Sequence, residues 1–261
     1  MRLNKLFFLC VFAVVLLTGC SQNISIANTN LAIEIADHND LQTAWLELET
    51  GVQFKEIPVY SSTNNVNDVI TVFKFNPNEF AFSFQQSNTA LTVNEWQEKY
   101  QPLFVSNGSY FLENNKPAGL LKIAGETSGK NLTAVSVGEL VIDDQGKLDI
   151  LENAEIDKYN NLLQSYPLLI KPNSEEGVKA DSGQVAPRTV VAKDDGGNIL
   201  FIFTKEYYFS LYTLQNYLRH SDLNINIALN LDGGPSTGYV FKGKEEKYSV
   251  SQPVANVILV K

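Results

Sequence analysis

Three short stretches put polar side chains next to glycine or at the mouth of a strand: Asn107-Gly108, Asp232-Gly233-Gly234 and Ala186-Pro187-Arg188. Asn230 and Asp232 stand two residues apart, so on an extended strand they point to the same face. Glycines beside such groups let backbone N–H donors approach a ligand, or form the concave turns that hold anions. Ser236 and Thr237 add hydroxyls immediately downstream. Taken singly, D-G-G-P also reads as a tight turn and Asn107 as a turn residue. The chemistry depends on whether the fold brings the three stretches together.

The elements that must position them are mostly strands. Alternating apolar residues mark 43–49, 68–75 and 79–84, the last two separated by the turn signal N-P-N. Thr92 with Glu95 forms a capping-box pattern that opens a short helix through Trp96 to Tyr100. A strand at 102–107 delivers Asn107, and further strands are expected at 119–124, 133–142 and 146–151. The runs 187–193 and 198–204 flank D-D-G-G and read as a hairpin that starts next to Arg188. Leu211, Leu214 and Leu218 share one helical face, with Ser210 as N-cap and His220 near the far end. The strand 225–232 delivers Asn230 and Asp232, and 254–260 is the last strand. Many strands with two or three helices predict an α+β fold, a single domain with a large mixed β-sheet core and a few helices. The polar stretch 171–184 is too hydrophilic for core and reads as a long functional loop. Trp45, Trp96 and Phe111 are expected to pack rather than bind.

The chain has 261 residues, 44% of them hydrophobic, and a net charge of −9. That composition supports a packed core, and its acidity excludes a nucleic-acid partner, which needs a basic footprint. Two His and two Cys leave no basis for a His-rich zinc site or a disulfide framework. Arg2 and Lys5 precede the apolar run Leu6 to Leu17, which is shorter than the ~20 residues of a membrane span and reads as a signal peptide. Its end, L-T-G-C at 17–20, resembles the bacterial lipobox. The resemblance implies a signal peptide over 1–19, lipidation of Cys20, and a polar tether over 20–41. Removing residues 1–19 leaves 242 residues and takes the charge from −9 to −11. The folded body then contains no cysteine, which excludes thiol catalysis. The protein is expected in the bacterial cell envelope, lipid-anchored and extracytoplasmic, with Ser21 favouring the outer membrane in a diderm host.

Six blocks occur in order: N-G-S-Y-F (107–111), P-A-G-L-L-K-I-A-G (117–125), Q-S-Y-P-L-L-I (164–170), P-R-T-V-V-A (187–192), A-L-N-L-D-G-G-P-S-T (228–237) and Q-P-V-A-N-V-I-L-V (252–260). Together they resemble the phosphodiester glycosidase family, over a domain set at 42–261. Ser109, Tyr166, Pro235 and Gln252 depart from the commoner family residues. The resemblance implies hydrolysis of the bond between a sugar C1 and a phosphodiester. Phosphate leaves as a stabilised anion, so a clamp on that anion and a carboxylate near C1 matter more than a strong general acid. On this reading Arg188 is the clamp, because a guanidinium grips phosphate in a bidentate way. Asp232 is nucleophile or base, and Asn107 orients sugar or phosphate. Gly108, Asn230, Gly233, Gly234, Ser236 and Thr237 line the substrate, with N–H and hydroxyl donors from Gly233, Gly234 and Ser236. Tyr110 and Tyr166 offer stacking faces to a pyranose. No cofactor is implied; a divalent cation at Asp232 stays open, because no ligand spacing specifies one. The alternative is a lipid-anchored glycan-binding protein or pseudoenzyme on the same fold.

Overall fold

The computed structural model describes residues 44–63, 65–133, 136–242, 247–249 and 252–261. The signal segment, Cys20 and the tether therefore lie outside the described residues. The chain runs through β1 (Leu46–Glu49), β2 (Val52–Tyr60), β3 (Val66–Phe75), β4 (Phe82–Leu91), α1 (Val93–Tyr100) and β5 (Phe104–Asn107). Next come β6 (Leu121–Ile123), β7 (Glu126–Ser128), β8 (Gly138–Ile142), β9 (Leu148–Leu151), β10 (Asn161–Ser165), β11 (Leu168–Lys171) and β12 (Glu175–Glu176). The final third holds β13 (Arg188–Asp194), β14 (Ile199–Thr204), α2 (Leu211–Arg219), β15 (Ile225–Asn230), β16 (Gly238–Phe241), β17 (Lys247–Ser249) and β18 (Val254–Val260).

The α+β expectation holds, and the sheet core is divided in three. One sheet has the order β1-β2-β3-β14-β13-β15-β11-β12, a second β7-β6-β10-β8-β9, and a third β17-β16-β5-β18-β4. Every pairing among these described strands is antiparallel. The expected hairpin forms as β13 and β14, closed by Asp195-Gly196-Gly197 with Gly197 at φ +82°. β14 and β18 are buried at every position, which is why both read as nearly continuous apolar runs, interrupted only by Thr204 and Asn256, instead of alternating ones.

The core is where the three sheets meet. Phe73 on β3, Phe104 on β5, Phe201 and Phe203 on β14, and Tyr239 on β16 are all fully buried. Phe104 lies 4.9 Å from Phe73 and 5.0 Å from Phe201 by ring centroids, and Phe203 lies 4.6 Å from Tyr239. Leu140 and Leu163 from the second sheet join the same cluster. The helices form where their caps dictate. Thr92 and Glu95 make the reciprocal capping box at α1, and Ser210 caps α2 with Thr213 as its partner. Trp96 and Val93 seal α1 against Val105, Val240 and Val257. Among the described residues no helix is long and apolar enough to cross a membrane.

Several elements differ from the sequence reading. β2 escapes it because Pro58 interrupts the pattern, although Pro58 sits in register opposite Val69. β10, β11 and β16 are too short for periodicity to register. β4 begins at Phe82 and continues through the polar run to Leu91. The polar stretch 171–184 is a 3₁₀ turn and the short β12, after which a buried Gln215 on α2 holds both the N–H and the carbonyl of Val178, at 2.7 and 3.0 Å. Glu176 pairs with Arg219 at 2.7 Å. Phe104→Ala is expected to destabilise the domain by about 3–5 kcal/mol, because the ring bridges two sheets and leaves a cavity no neighbour can fill; a urea unfolding midpoint checks this.

Candidate active site

The fold brings the three glycine-flanked stretches to one place. β13 and β15 are neighbours in the large sheet, with Val190 opposite Asn230, so the start of one strand lies beside the end of the other. β5 ends at Asn107 in the third sheet. Asn107 is fully buried and joins the two sheets. Its Oδ1 accepts from the Thr189 hydroxyl at 2.9 Å on β13 and from the Gly238 N–H at 3.2 Å on β16. Its Nδ2 donates to the main-chain carbonyl of Asp232 at 2.8 Å. The carboxamide expected to orient substrate is thus spent on positioning: it holds the Asp232 loop and touches no open surface.

A second buried asparagine completes this frame. Asn256 Oδ1 accepts from the Ser109 N–H at 2.8 Å, and its Nδ2 donates to the Ser109 carbonyl at 3.0 Å. Gly108 passes so close that a Cβ there would lie 2.0 Å from Asn256 Oδ1, so this position requires glycine for space. The Gly108 carbonyl accepts from the Asp232 N–H at 3.1 Å. Thr189 and Asn256 were not singled out from the sequence. The signal available was a polar residue inside an otherwise apolar strand, in blocks 187–192 and 252–260.

Asp232 sits past the end of β15, and burial raises its carboxyl above the usual carboxylate range. The Ser236 side chain and the Gly233 N–H, at 2.9 Å from Oδ1, bond to the carboxylate and oppose that rise. These bonds revise the expected clamp. The Gly233 N–H serves Asp232, the Gly234 N–H donates to the Pro187 carbonyl at 2.8 Å, and Ser236 is committed to the carboxylate. The turn therefore builds the carboxylate's own cradle and does not present a row of free donors. Gly234 holds φ +57°, and a Cβ at Gly233 would lie 2.8 Å from the Pro187 carbonyl, so both glycines are structural requirements of the turn.

Arg188 opens β13 and is half-buried, which lowers its pKa. Its Nε donates to the Phe209 carbonyl at 3.3 Å and its Nη2 to the Gln184 carbonyl at 2.6 Å. Among the described residues no carboxylate forms an ion pair with it. A guanidinium tethered by neutral carbonyls and lacking an acidic partner is suited to receive an anion. Gln184 closes the polar loop 171–184, so that loop ends by anchoring Arg188.

The rings of Tyr110 and Tyr166 pack with centroids 4.9 Å apart and planes tilted by 36°, and Tyr166 is 43% exposed. Tyr110's ring is therefore occupied by its neighbour, leaving Tyr166 as the exposed aromatic face. Asn230 donates from Nδ2 to the Tyr110 hydroxyl at 2.6 Å. Burial and the nearby Asp232 charge push the Tyr110 phenol up to about 12, and the Arg188 charge opposes them. The side-chain oxygens of Ser109, Asn230 (Oδ1) and Thr237 are buried with no hydrogen-bond partner among the described residues, although buried polar atoms are normally paired. Among the described residues no three His, Cys, Asp or Glu side chains gather as a metal site.

The profile of the family described as phosphodiester glycosidase matches residues 100–261. The catalytic domain of zebrafish N-acetylglucosamine-1-phosphodiester alpha-N-acetylglucosaminidase, auto-inhibited by its pro-peptide, superposes with a TM-score of 0.62 at 15% identity, covering 84% of this chain and 86% of that one. A hypothetical protein from Synechocystis superposes with a TM-score of 0.60 at 15% identity, covering 84% of this chain and 63% of that one. Among curated proteins no sequence matches.

Two outcomes follow from the site's construction. Asn107→Ala strands the Thr189 hydroxyl, the Gly238 N–H and the Asp232 carbonyl; at ~1–3 kcal/mol for an unsatisfied buried group, a loss of about 2–4 kcal/mol is expected in chemical denaturation. Asp232→Asn is expected to stabilise the protein at pH 7. The folded-state pKa of Asp232 is raised, so the ionised group opposes folding above that pKa, and the penalty vanishes below the unfolded-state pKa. The melting-temperature gap between variant and parent should be widest at neutral pH and close as pH falls through the raised pKa.

Proposed function

We infer the reaction from one premise: the chain belongs to the phosphodiester glycosidase family. The proposed activity is hydrolysis of the sugar–phosphate bond of sugar-1-phosphodiesters in glycans or cell-wall polymers. The observation that carries it is the half-buried Arg188, which has no acidic partner among the described residues and sits with Tyr110 and the buried carboxylate of Asp232. One cation without an ion-pair partner and one desolvated carboxylate, each within electrostatic reach of Tyr110, is the minimum a phosphate-leaving glycosidase needs.

In this mechanism Arg188 binds the phosphate and neutralises the charge that grows as the C1–O bond breaks. Asp232 takes the proton of the attacking water, and its raised pKa makes it the stronger base for that task. The bonds from Ser236 and Gly233 fix its direction. Asn107 acts through the Asp232 main chain as a positioning residue, and Gly108 keeps the strand end close to it. Asn230 holds Tyr110. The exposed face of Tyr166 takes the sugar ring, with Gly234 and Thr237 at the floor of the turn.

The lipobox-like L-T-G-C supports lipid anchoring at Cys20, with the domain facing the envelope on its polar tether. A substrate with few phosphates suits the acidity of the chain, since repulsion of a polyanion grows with each added charge.

The test is sugar release from a panel of α-linked sugar-1-phosphodiesters by the full chain in detergent. Arg188→Ala is expected to lower kcat/KM by about 10²–10³-fold, the usual cost of losing one charge-stabilising donor. Arg188→Lys should recover only part of it, because an ammonium cannot grip phosphate with two parallel bonds. Binding of the diesters without turnover, equal in parent and Asp232→Asn, would instead establish a glycan-binding protein on this fold.

A further inference from the structure

The hydroxyl of Tyr110 accepts a hydrogen bond from Asn230 and has a proton left to donate. Asn230 Nδ2 lies 2.8 Å from the Leu231 carbonyl and 3.2 Å from the Tyr166 carbonyl, as well as 2.6 Å from the phenol oxygen. Two carbonyls fix the amide orientation, because the reverse would set Asn230 Oδ1 against two other acceptors. An amide nitrogen only donates, and its two hydrogens are shared among these three oxygens with the 3.2 Å carbonyl the longest contact, so the phenol oxygen is the acceptor of the Tyr110–Asn230 bond. The phenol's own hydrogen is left over. Among the described residues no group is bonded to accept it, and the hydroxyl feels both the negative charge of Asp232 and the positive charge of Arg188. The ring cannot turn away to find a partner, because it is packed on Tyr166.

We propose that the Tyr110 hydroxyl touches substrate as a hydrogen-bond donor, aimed by Asn230 at the phosphate oxygen that gains charge as the C1–O bond breaks. The proposal rests on the phosphodiester reading above. In the step, the water oxygen bonds to C1 and gives its proton to Asp232. The C1–O bond breaks and its electron pair stays on the phosphate oxygen. The products are the free sugar and a phosphomonoester, and the phosphate passes from one negative charge towards two. Tyr110 keeps its proton throughout, consistent with a pKa of about 12. It acts as a fixed dipole that binds the departing phosphate more strongly than the intact diester, which is how a donor accelerates a reaction. Arg188 supplies charge and Tyr110 supplies direction.

The experiment compares parent and Tyr110→Phe on two diesters of one sugar, a methyl phosphate and a 4-nitrophenyl phosphate. Phenylalanine keeps the stack on Tyr166 and removes only the hydroxyl. The expected result is a fall in kcat of about 10²–10³-fold on the methyl diester with KM nearly unchanged, and a distinctly smaller fall on the nitrophenyl diester, whose better leaving group needs less help. A purely structural role would lower both rates equally. Equal losses, or a kcat within twofold of the parent, overturn the proposal and leave the phosphodiester reading standing. No sugar release by the parent, together with no calorimetric binding of either diester, overturns the phosphodiester reading and this proposal with it. If Tyr110→Phe does not fold, Asn230→Ala is used instead. Its phenol keeps a hydroxyl but loses its aim, and the same leaving-group signature is expected in milder form, about 10-fold on the methyl diester.

Discussion

One carboxamide sets the geometry of this protein's candidate active site. Asn107 stands fully buried between two sheets whose described strands are not paired with one another, and its side chain reaches β13, β16 and the turn after β15. Apolar packing holds the sheets face to face but is not directional, so alone it would let them slide. The bonds of Asn107 set their offset and place the Asp232 main chain in the same act. Asn256, on the neighbouring strand β18 of the same sheet as β5, fastens the other side of the strand end through the backbone of Ser109. Asn107, using both ends of its amide, thus converts a packed interface into a registered one, and Asn256 holds the strand end from which it acts.

The charges at the site work against stability, and that is informative. Asp232 is buried with a raised pKa, and Arg188 is half-buried without an acidic neighbour among the described residues. A stability-optimised sheet would pair these two groups or replace them with apolar ones. Instead neutral carbonyls hold Arg188, while a hydroxyl and an N–H hold Asp232, so each charge keeps its field available to a third party. Desolvation penalties of this kind concentrate where a ligand must be recognised by charge.

What the sequence made legible was local, and what it concealed was long-range. Thr92 with Glu95, Ser210, and the D-D-G-G hairpin are patterns closed within a few residues, and each forms as its chemistry dictates. The glycine-flanked stretches were visible as motifs, yet their hydrogen bonds were not. The Gly233 and Gly234 N–H groups read as free anion donors, but the fold turns one to Asp232 and the other to Pro187. Asn107 read as a substrate contact because it ends a strand beside glycine; its partners, Thr189 and Gly238, lie 82 and 131 residues away. Asn256 lay in plain sight as the one polar residue of an apolar strand. A buried polar side chain in a strand core needs a partner, and only topology says which one.

The tyrosine pair shows how one residue type divides its labour by position. Tyr166 is exposed and offers a face, whereas Tyr110 is covered by that neighbour and offers an edge. An ordinary glycosidase needs two carboxyl groups because a sugar alkoxide must be protonated to leave. A phosphate leaving group carries its own stabilisation, so the second carboxyl can be replaced by a donor that never surrenders its proton. A phenol held near 12 fits that requirement better than a carboxylic acid, whose far more acidic proton is more readily given up to the departing phosphate. The same argument explains why Asn230 is an amide: an acidic residue there would accept the Tyr110 proton and turn the donor away from the site.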